Sequence, residues 1–478
     1  MPTPTIAVPS PAQIHQSFFP NGVVPPAALP AVWSANLLLT PFGGAASTTV
    51  TPPDQVMVGY VTYDGSNPAA LLMRVRLHLL ESLEYFDLLF RTTVAGSTWW
   101  TIKPDPSNLD GIPAGFSGPF STQAVVPHPD FLAQNAFSHV GGWNVLNRPC
   151  NAYSGTTGTQ PDPQNPAQRI PNAGTWWWLD QAARPTRMMN VGDVNPYGLA
   201  ILGSFYLVDF AEFTALPDSN LAAISAAAGG GTGASREIVT YHDLLSAQDA
   251  VPAEYRNASS LAQIQRIIPG LSFPNPAPAA PAWTNKVSSD CIMMAQDLNP
   301  IYCQVWYDWD FGQQTTVFVF NDGNGNYTVR QDEVLPKGKI GPAINYTWNG
   351  ATWVPDCCEP GVLGKSGGVV PMPVPNFVSA DNGRCRALIQ ANPHFGDLSV
   401  WSVSMGGDFW YWFRPSQTGV IFSLAPAVSL TLIDYQTFVQ NPNIAATTFD
   451  NPCGEVPQCG DNARALTRKR KFMPKRPL

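Results

Sequence analysis

Few residues of this chain have the types and spacing to do chemistry. Gly364-Lys365-Ser366 has the ending of a phosphate loop, whose glycine-rich turn aims backbone amides at phosphate oxygens. The glycine required five residues earlier is Glu359, followed by Pro360, so the usual nest of amides cannot form and a turn explains the residues better. Gly115-Phe116-Ser117-Gly118-Pro119 resembles the elbow that presents a nucleophilic serine, but proline stands where the second glycine belongs. Asp322, Asn324 and Asn326 have the spacing of three calcium ligands, yet Tyr327 occupies the glycine position and no acid closes the loop. Asp308 and Asp310 on a strand would share a face within roughly 7 Å, beside Trp306, as a glycosidase pair could in an aromatic cleft. An exposed strand face with ordinary acids is the plainer reading and is preferred.

The histidines at 15, 78, 128, 139, 242 and 394 include no pair at metal-ligand spacing. His78 falls on the polar face of a strand next to Arg76, and His128-Pro129-Asp130 reads as a capped turn. The eight cysteines contain no C-x-x-C pair and suggest no zinc site; they suit reduced thiols or disulfides equally. Sequons at Asn257, Asn326 and Asn345 lack a visible secretory signal to make them meaningful. No catalytic residue, metal or cofactor is assigned, and the expectation is a protein that is not an enzyme.

Charge placement says more. Residues 464–478 (RALTRKRKFMPKRPL) hold seven of the 26 lysines and arginines and no acid. The rest of the chain carries 19 cations against 34 acids, a net −15. Such a tail neutralises nucleic-acid phosphates with a salt-dependent, sequence-independent affinity. Arg464, Arg468, Lys469, Arg470, Lys471, Lys475 and Arg476 are the candidate contacts. A solvated terminus, one folded back on the acidic body, or a nuclear-import-like signal are the alternatives.

The elements that would position these residues are mostly strands. Met73, Val75, Leu77 and Leu79 alternate with Arg74, Arg76 and His78, and Val305, Tyr307, Trp309 and Phe311 alternate with Gln304, Trp306, Asp308 and Asp310. Further strand-like runs lie at 33–40, 55–63, 84–92, 198–213, 315–320, 398–404 and 408–414, punctuated by glycine and proline. The run NDGNGN and the pair Asn349-Gly350 mark two hairpins. Segments 236–249 and 259–268 are the best helices, the second with Leu261, Ile264 and Ile268 on one face. Consecutive aromatics such as Trp99-Trp100, Trp176-Trp177-Trp178 and Phe409 to Phe413 must point to both faces of a strand, so both faces should be covered. No internal repeat stands out. With 13% charged residues, 44% hydrophobic ones and 87 prolines and glycines among 478, the chain is neither disordered, collagenous nor a coiled coil. Its longest apolar stretch, 419–433, is too interrupted to span a bilayer.

Composition divides the chain. Residues 1–32 have eight prolines and no charge and read as an extended arm. Residues 33–217 form a first β unit, 218–236 an Ala/Gly hinge, 237–440 a second β-rich unit, and 441–478 an extended segment ending in the basic tail.

This order of parts resembles the coat proteins of small non-enveloped, positive-strand RNA viruses. The resemblance rests on an uncharged proline-rich arm, a strand-rich unit ending GLAILGSFYLVDFAEF, a small-residue hinge, a Trp- and Tyr-rich second unit and a basic tail. It implies an all-β fold: a jelly-roll β-sandwich shell domain with a second, projecting β domain and little helix. It also implies assembly of many copies with icosahedral symmetry, enclosure of viral genomic RNA, a host receptor as a further partner, and residence in the virion and, during assembly, the host cytoplasm. Many such proteins carry their cations at the N-terminus rather than the C-terminus. The alternative is a multidomain carbohydrate-binding or glycoside-degrading β-protein, which would explain the tryptophans and the low charge.

Overall fold

The computed structural model describes residues 8–41, 56–80, 83–103, 105, 113–122, 125–146, 148–156, 159–161, 169–171, 174–191, 206–214, 220–229, 234–235, 257–258, 260–273, 278–295, 300–321, 326–334, 343–356, 374–380, 382–405, 408–415, 421–425 and 431–444. After helix α1 (Pro11–Phe18) come strands β1 (Val32–Pro41), β2 (Met57–Asp64), β3 (Ala70–Leu79), β4 (Glu84–Thr93), β5 (Gly96–Lys103) and β6 (Gly115–Thr122). Helix α2 (Phe131–Gln134) leads to β7 (Ser138–Val145) and β8 (Arg148–Thr156), a small hairpin β9 (Thr159–Pro161) and β10 (Arg169–Pro171), then β11 (Gly174–Asp180), β12 (Pro185–Val191) and β13 (Tyr206–Thr214). Helix α3 (Leu221–Ala228), β14 (Ala234–Ser235), β15 (Asn257–Ala258), α4 (Leu261–Ile267) and β16 (Leu271–Ser272) connect to the second unit. That unit holds β17 (Lys286–Ala295), β18 (Ile301–Asp308), β19 (Gln313–Asn321), β20 (Asn326–Val334), β21 (Ala343–Trp348) and β22 (Trp353–Asp356). It continues with α5 (Phe377–Ala380), β23 (Arg384–Asn392), β24 (Gly396–Met405), β25 (Asp408–Pro415), β26 (Ile421–Ala425), β27 (Thr431–Tyr435) and β28 (Val439–Gln440).

The all-β class is as expected, but the strands pair as a meander. The first sheet runs β6-β5-β4-β3-β2-β1-β13-β12-β11-β8-β7, the second β22-β21-β20-β19-β18-β17-β27-β26-β25-β24-β23. A jelly roll sets strands distant in sequence side by side. Here nearly all neighbours are successive along the chain, so the jelly-roll pairing expected for 33–217 is not what the described strands form.

The two orders are the same. In each, five strands run outward from one edge of a central first strand, and five return to close on its other edge. The registers also match: Asp209 pairs with Leu38 and Phe210 with Leu37, as Asp434 pairs with Ile292 and Tyr435 with Cys291. Ala35 pairs with Val61 as Ser289 pairs with Val305. Short stretches agree at these equivalent places: Val61-Thr62-Tyr63-Asp64 with Val305-Trp306-Tyr307-Asp308, and Leu207-Val208-Asp209-Phe210 with Leu432-Ile433-Asp434-Tyr435. The chain is an internal duplication, which its sequence alone did not reveal.

Each strand has two apolar faces, and the period of two sorts them. In the first unit Trp33, Leu37, Tyr63, Met73, Trp99, Trp177 and Phe210 face an inner core that the curled sheet encloses. Trp176 and Trp178 face the other way. In the second unit Tyr307 and Tyr435 are inner, whereas Trp306 and Ile292 point outward. The outward faces of both sheets meet in one continuous seam of buried side chains. Trp100, Leu72 and Leu89 lie under α3 through Leu221 and Ile224. The expectation that consecutive aromatics need cover on both sides therefore holds at Trp99-Trp100 and Trp176 to Trp178.

Two further expectations need correction. The arm 1–32 is not simply extended: Ser10 and Gln13 form a reciprocal capping box that starts α1, and Ile14 and Phe18 are buried in the seam. The hinge 218–236 contains α3 packed on the first sheet, and β14 adds to β6 in parallel. β15 also pairs with β4, so residues 257–258 belong with the first sheet rather than with a unit beginning at 237. The helix expected at 236–249 lies outside the described residues. That expected at 259–268 is α4, capped by Ser260 and Gln263, although Leu261 is exposed rather than on the buried face. The Asn349-Gly350 hairpin exists as a four-residue turn, because Trp348 pairs with Trp353 and Asn349 Oδ1 accepts from the amides of Ala351 and Thr352. No helix among the described residues is long and apolar enough to cross a membrane.

The two leading helices are themselves a repeat: Ser10-Pro-Ala-Gln-Ile14 and Ser260-Leu-Ala-Gln-Ile264. Each leads through a proline (Pro20, Pro269) to a glycine at positive φ, Gly22 at 72° and Gly270 at 82°. They are exchanged. Helix α1, which precedes the first sheet, packs on β18 and β19 of the second; α4, which precedes the second sheet, packs on β2 of the first. Replacing Ile14 or Ile264 with alanine should each cost about 2–5 kcal/mol, the usual penalty for emptying a buried aliphatic site. Denaturant titration should show both units melting together in either variant.

Candidate functional site

The seven cations of the tail, and Gly364-Lys365-Ser366, lie outside the described residues. Ser117 is a half-buried strand residue opposite Thr101, not the tip of an elbow. Asp308 and Asp310 do not share a strand face: β18 ends at Asp308, which is buried and paired with Lys286 at 3.0 Å, while Asp310 sits in the exposed turn. His78 is buried, not exposed, because α4 covers the alternate face of β3; burial pushes its pKa down to about 4, so it is neutral. His128 Nδ1 accepts from the amide of Asp130, a capped turn as expected. Four cysteines, Cys150, Cys291, Cys303 and Cys385, are free; Cys291 and Cys303 face each other across β17 and β18. Among the described residues no three metal-ligating side chains converge.

What the fold brings together is different. Arg187, on β12, is completely enclosed in the seam. Its Nε donates to Asp209 Oδ1 at 2.6 Å, and its Nη1 reaches Asp434 Oδ2 of the other unit at 3.4 Å. Asp209 and Asp434 are the equivalent residues of the duplicated β13 and β27. The position matching Arg187 on β26 is Ile421, so one guanidinium serves both acids. Burial pushes both carboxyls up, Asp434 to about 6, although Arg187 opposes the shift. A charged residue inside an apolar run, as in YLVDF and TLIDY, was the available signal for this group. Its partner could not be read without the pairing of the sheets.

Each exchanged helix also walls a cleft. The smaller, about 310 Å³, lies between α4 and β1 to β4 and is lined by Asn36, Tyr60, Arg76, His78, Tyr85 and Arg266. There Asn36 Nδ2 donates to Glu212 Oε2 at 2.7 Å and to the carbonyl of Ile267 at 2.8 Å. The larger, about 470 Å³, lies between the end of α1, the β7–β8 ribbon and the edge of the second unit. Its acid, Asp290, is the register equivalent of Asn36, and Thr437 is the equivalent of Glu212. Thr437 Oγ1 donates to Asp290 Oδ2 at 3.0 Å, the counterpart of the Asn36–Glu212 bond. Burial raises the Asp290 pKa, and the bond from Thr437 pulls it back.

No protein-family model matches the chain, and no curated protein does. Among solved structures, immune modulator A of Aeromonas veronii aligns over 89% of this chain and 98% of its own, at 8% identity and a TM-score of 0.12. A likeness that low carries no argument.

Two outcomes follow from the buried triad. Arg187→Met strands two acids in the seam and should cost about 3–5 kcal/mol in a denaturant titration. Asp434 binds its proton more tightly folded than unfolded, so its contribution to stability is complete below its ordinary pKa of 3.8 and is lost as pH rises through about 6. Between those values the wild type should lose more stability than Asp434→Asn, measured as urea midpoints at both ends of the range.

Proposed function

We propose that the chain is a self-assembling coat subunit. Copies associate into a closed icosahedral shell around viral RNA, with the basic tail neutralising phosphates and the outer surface offered to a host receptor. The observation that carries this reading is the seam. A β unit that packs against its own duplicate, face to face and with leading helices exchanged, already has the means of self-association that a shell requires. The same logic extends between chains, where low surface charge and abundant aromatic residues favour burial by other copies. The acidic body and the seven-cation tail supply the second half of the reading, since only the tail would be drawn to a polyanion. The meander topology departs from the jelly roll of the coat proteins that the sequence resembles, so the proposal rests on association and charge and not on that fold.

Electron microscopy of the purified full-length protein at low and high salt tests assembly. Uniform closed particles are expected, and only monomers or small oligomers at both salts would overturn the proposal. Deleting 464–478 should lower the nucleic acid recovered with the protein, read from the absorbance ratio at 260 and 280 nm. An unchanged ratio would exclude the tail as the main RNA anchor.

A further inference from the structure

The larger cleft is not explained by assembly. We propose that it binds a neutral polyhydroxylated ligand, a sugar ring of a glycan. The duplication supplies the control. In the first unit the equivalent cleft is smaller, about 310 Å³, and basic: Asn36 is tied to Glu212 and to the Ile267 carbonyl at the end of α4, and Arg76 and Arg266 line it. In the second unit the pair is Asp290 and Thr437, and the volume is larger, about 470 Å³. That volume lies within the roughly 300–1,000 Å³ of small-molecule sites.

The lining selects the ligand class. Asn144 and Gln181 each present a donor and an acceptor on a planar amide, the complement of neighbouring hydroxyls, while Asn151 is held by His139 and Gln436 by Asp434. Asp290 accepts from hydroxyl groups through two oxygens, and Thr437 holds one of them in place. Trp143 provides an apolar wall for the C–H side of a ring. No lysine or arginine lines the cleft, and burial lowers the pKa of its histidine, His139, so a phosphate or carboxylate would meet Asp290 with little to offset it. An apolar ligand would strip water from the amides and return no hydrogen bonds. A sugar satisfies both constraints.

The cleft can also be filled by design. Gly142 lines it, and a Cβ placed there would touch Asn151 Oδ1 and the Cys150 carbonyl only at an ordinary 3.4 Å. A larger side chain at this position therefore projects without a backbone clash.

Saturation-transfer NMR and titration of the full-length protein with lactose, maltose and N-acetylglucosamine test the idea, with 3′-sialyllactose as the anionic arm and spermidine as the cationic arm. At least one neutral sugar should bind. Gln181→Ala, at an exposed position that folding does not depend on, should weaken it about tenfold, the loss expected for one hydrogen bond to a desolvated hydroxyl. Gly142→Leu should abolish it with the thermal midpoint unchanged. Absence of binding by all three neutral sugars, tighter binding of sialyllactose or spermidine, or unaltered affinity in Gln181→Ala would overturn the proposal. It stands apart from the shell reading: particle formation is read by microscopy, sugar binding by NMR, and either can fail alone.

Discussion

Everything in this molecule follows from sheets that are apolar on both sides. A strand with tryptophan at successive positions cannot present a wet face, because one of the two rings always points outward. Curling encloses one face of each sheet around its own core. The other face has to be covered by something else, and the molecule covers it with a copy of itself. The seam is thus the constraint from which the duplicated architecture, the exchanged helices and the enclosed charges derive. The helices complete it, α1 packing on β18 and β19 and α4 on β2, with Ile14 and Ile264 in the same buried layer.

Within that dry layer, polar groups survive only where they are paired. Arg187 lies between two acids at one position of the repeat, and the second unit has isoleucine, Ile421, where the first has this arginine. A strictly symmetric pair would bury two guanidiniums against two carboxylates. Burial first, and then the neighbouring Asp209, raise the Asp434 pKa to about 6, against the pull of the single guanidinium. The clefts diverged in the same manner. Asn36 and Asp290 occupy one register position, yet one borders a smaller cleft with two arginines and the other a larger one with none.

The sequence made the strands legible because alternation and glycine-proline punctuation report local geometry directly. It also located α4, where Ser260 and Gln263 announce a capped start. The same signature at Ser10 and Gln13 was hidden by the prolines around it, which read as an extended arm. Sheet order was out of reach, for a meander and a jelly roll are built from the same alternating runs and differ only in which edges meet. The duplication was equally obscure: tetrapeptides such as LVDF and LIDY stand 225 residues apart and gain meaning only once their strands occupy matching places. Arg187 and Asp290 were missed for a related reason. Arg187 bonds Asp209 on a neighbouring strand and Asp434 in the other half, Asp290 bonds Thr437 at 147 residues' distance, and no spacing along one strand points to them.

The helix exchange imposes an order on synthesis. Helix α1 is made before the strands it packs on, β18 and β19, which follow some 300 residues later. The first sheet likewise emerges before α4, and its outward tryptophans wait for the second sheet. The amino-terminal half can therefore take its shape early but cannot become watertight until the chain is nearly finished. Helix α1 waits for strands some 300 residues behind it, and for that interval its buried side chains, Ile14 and Phe18, have nothing of the second sheet to cover them.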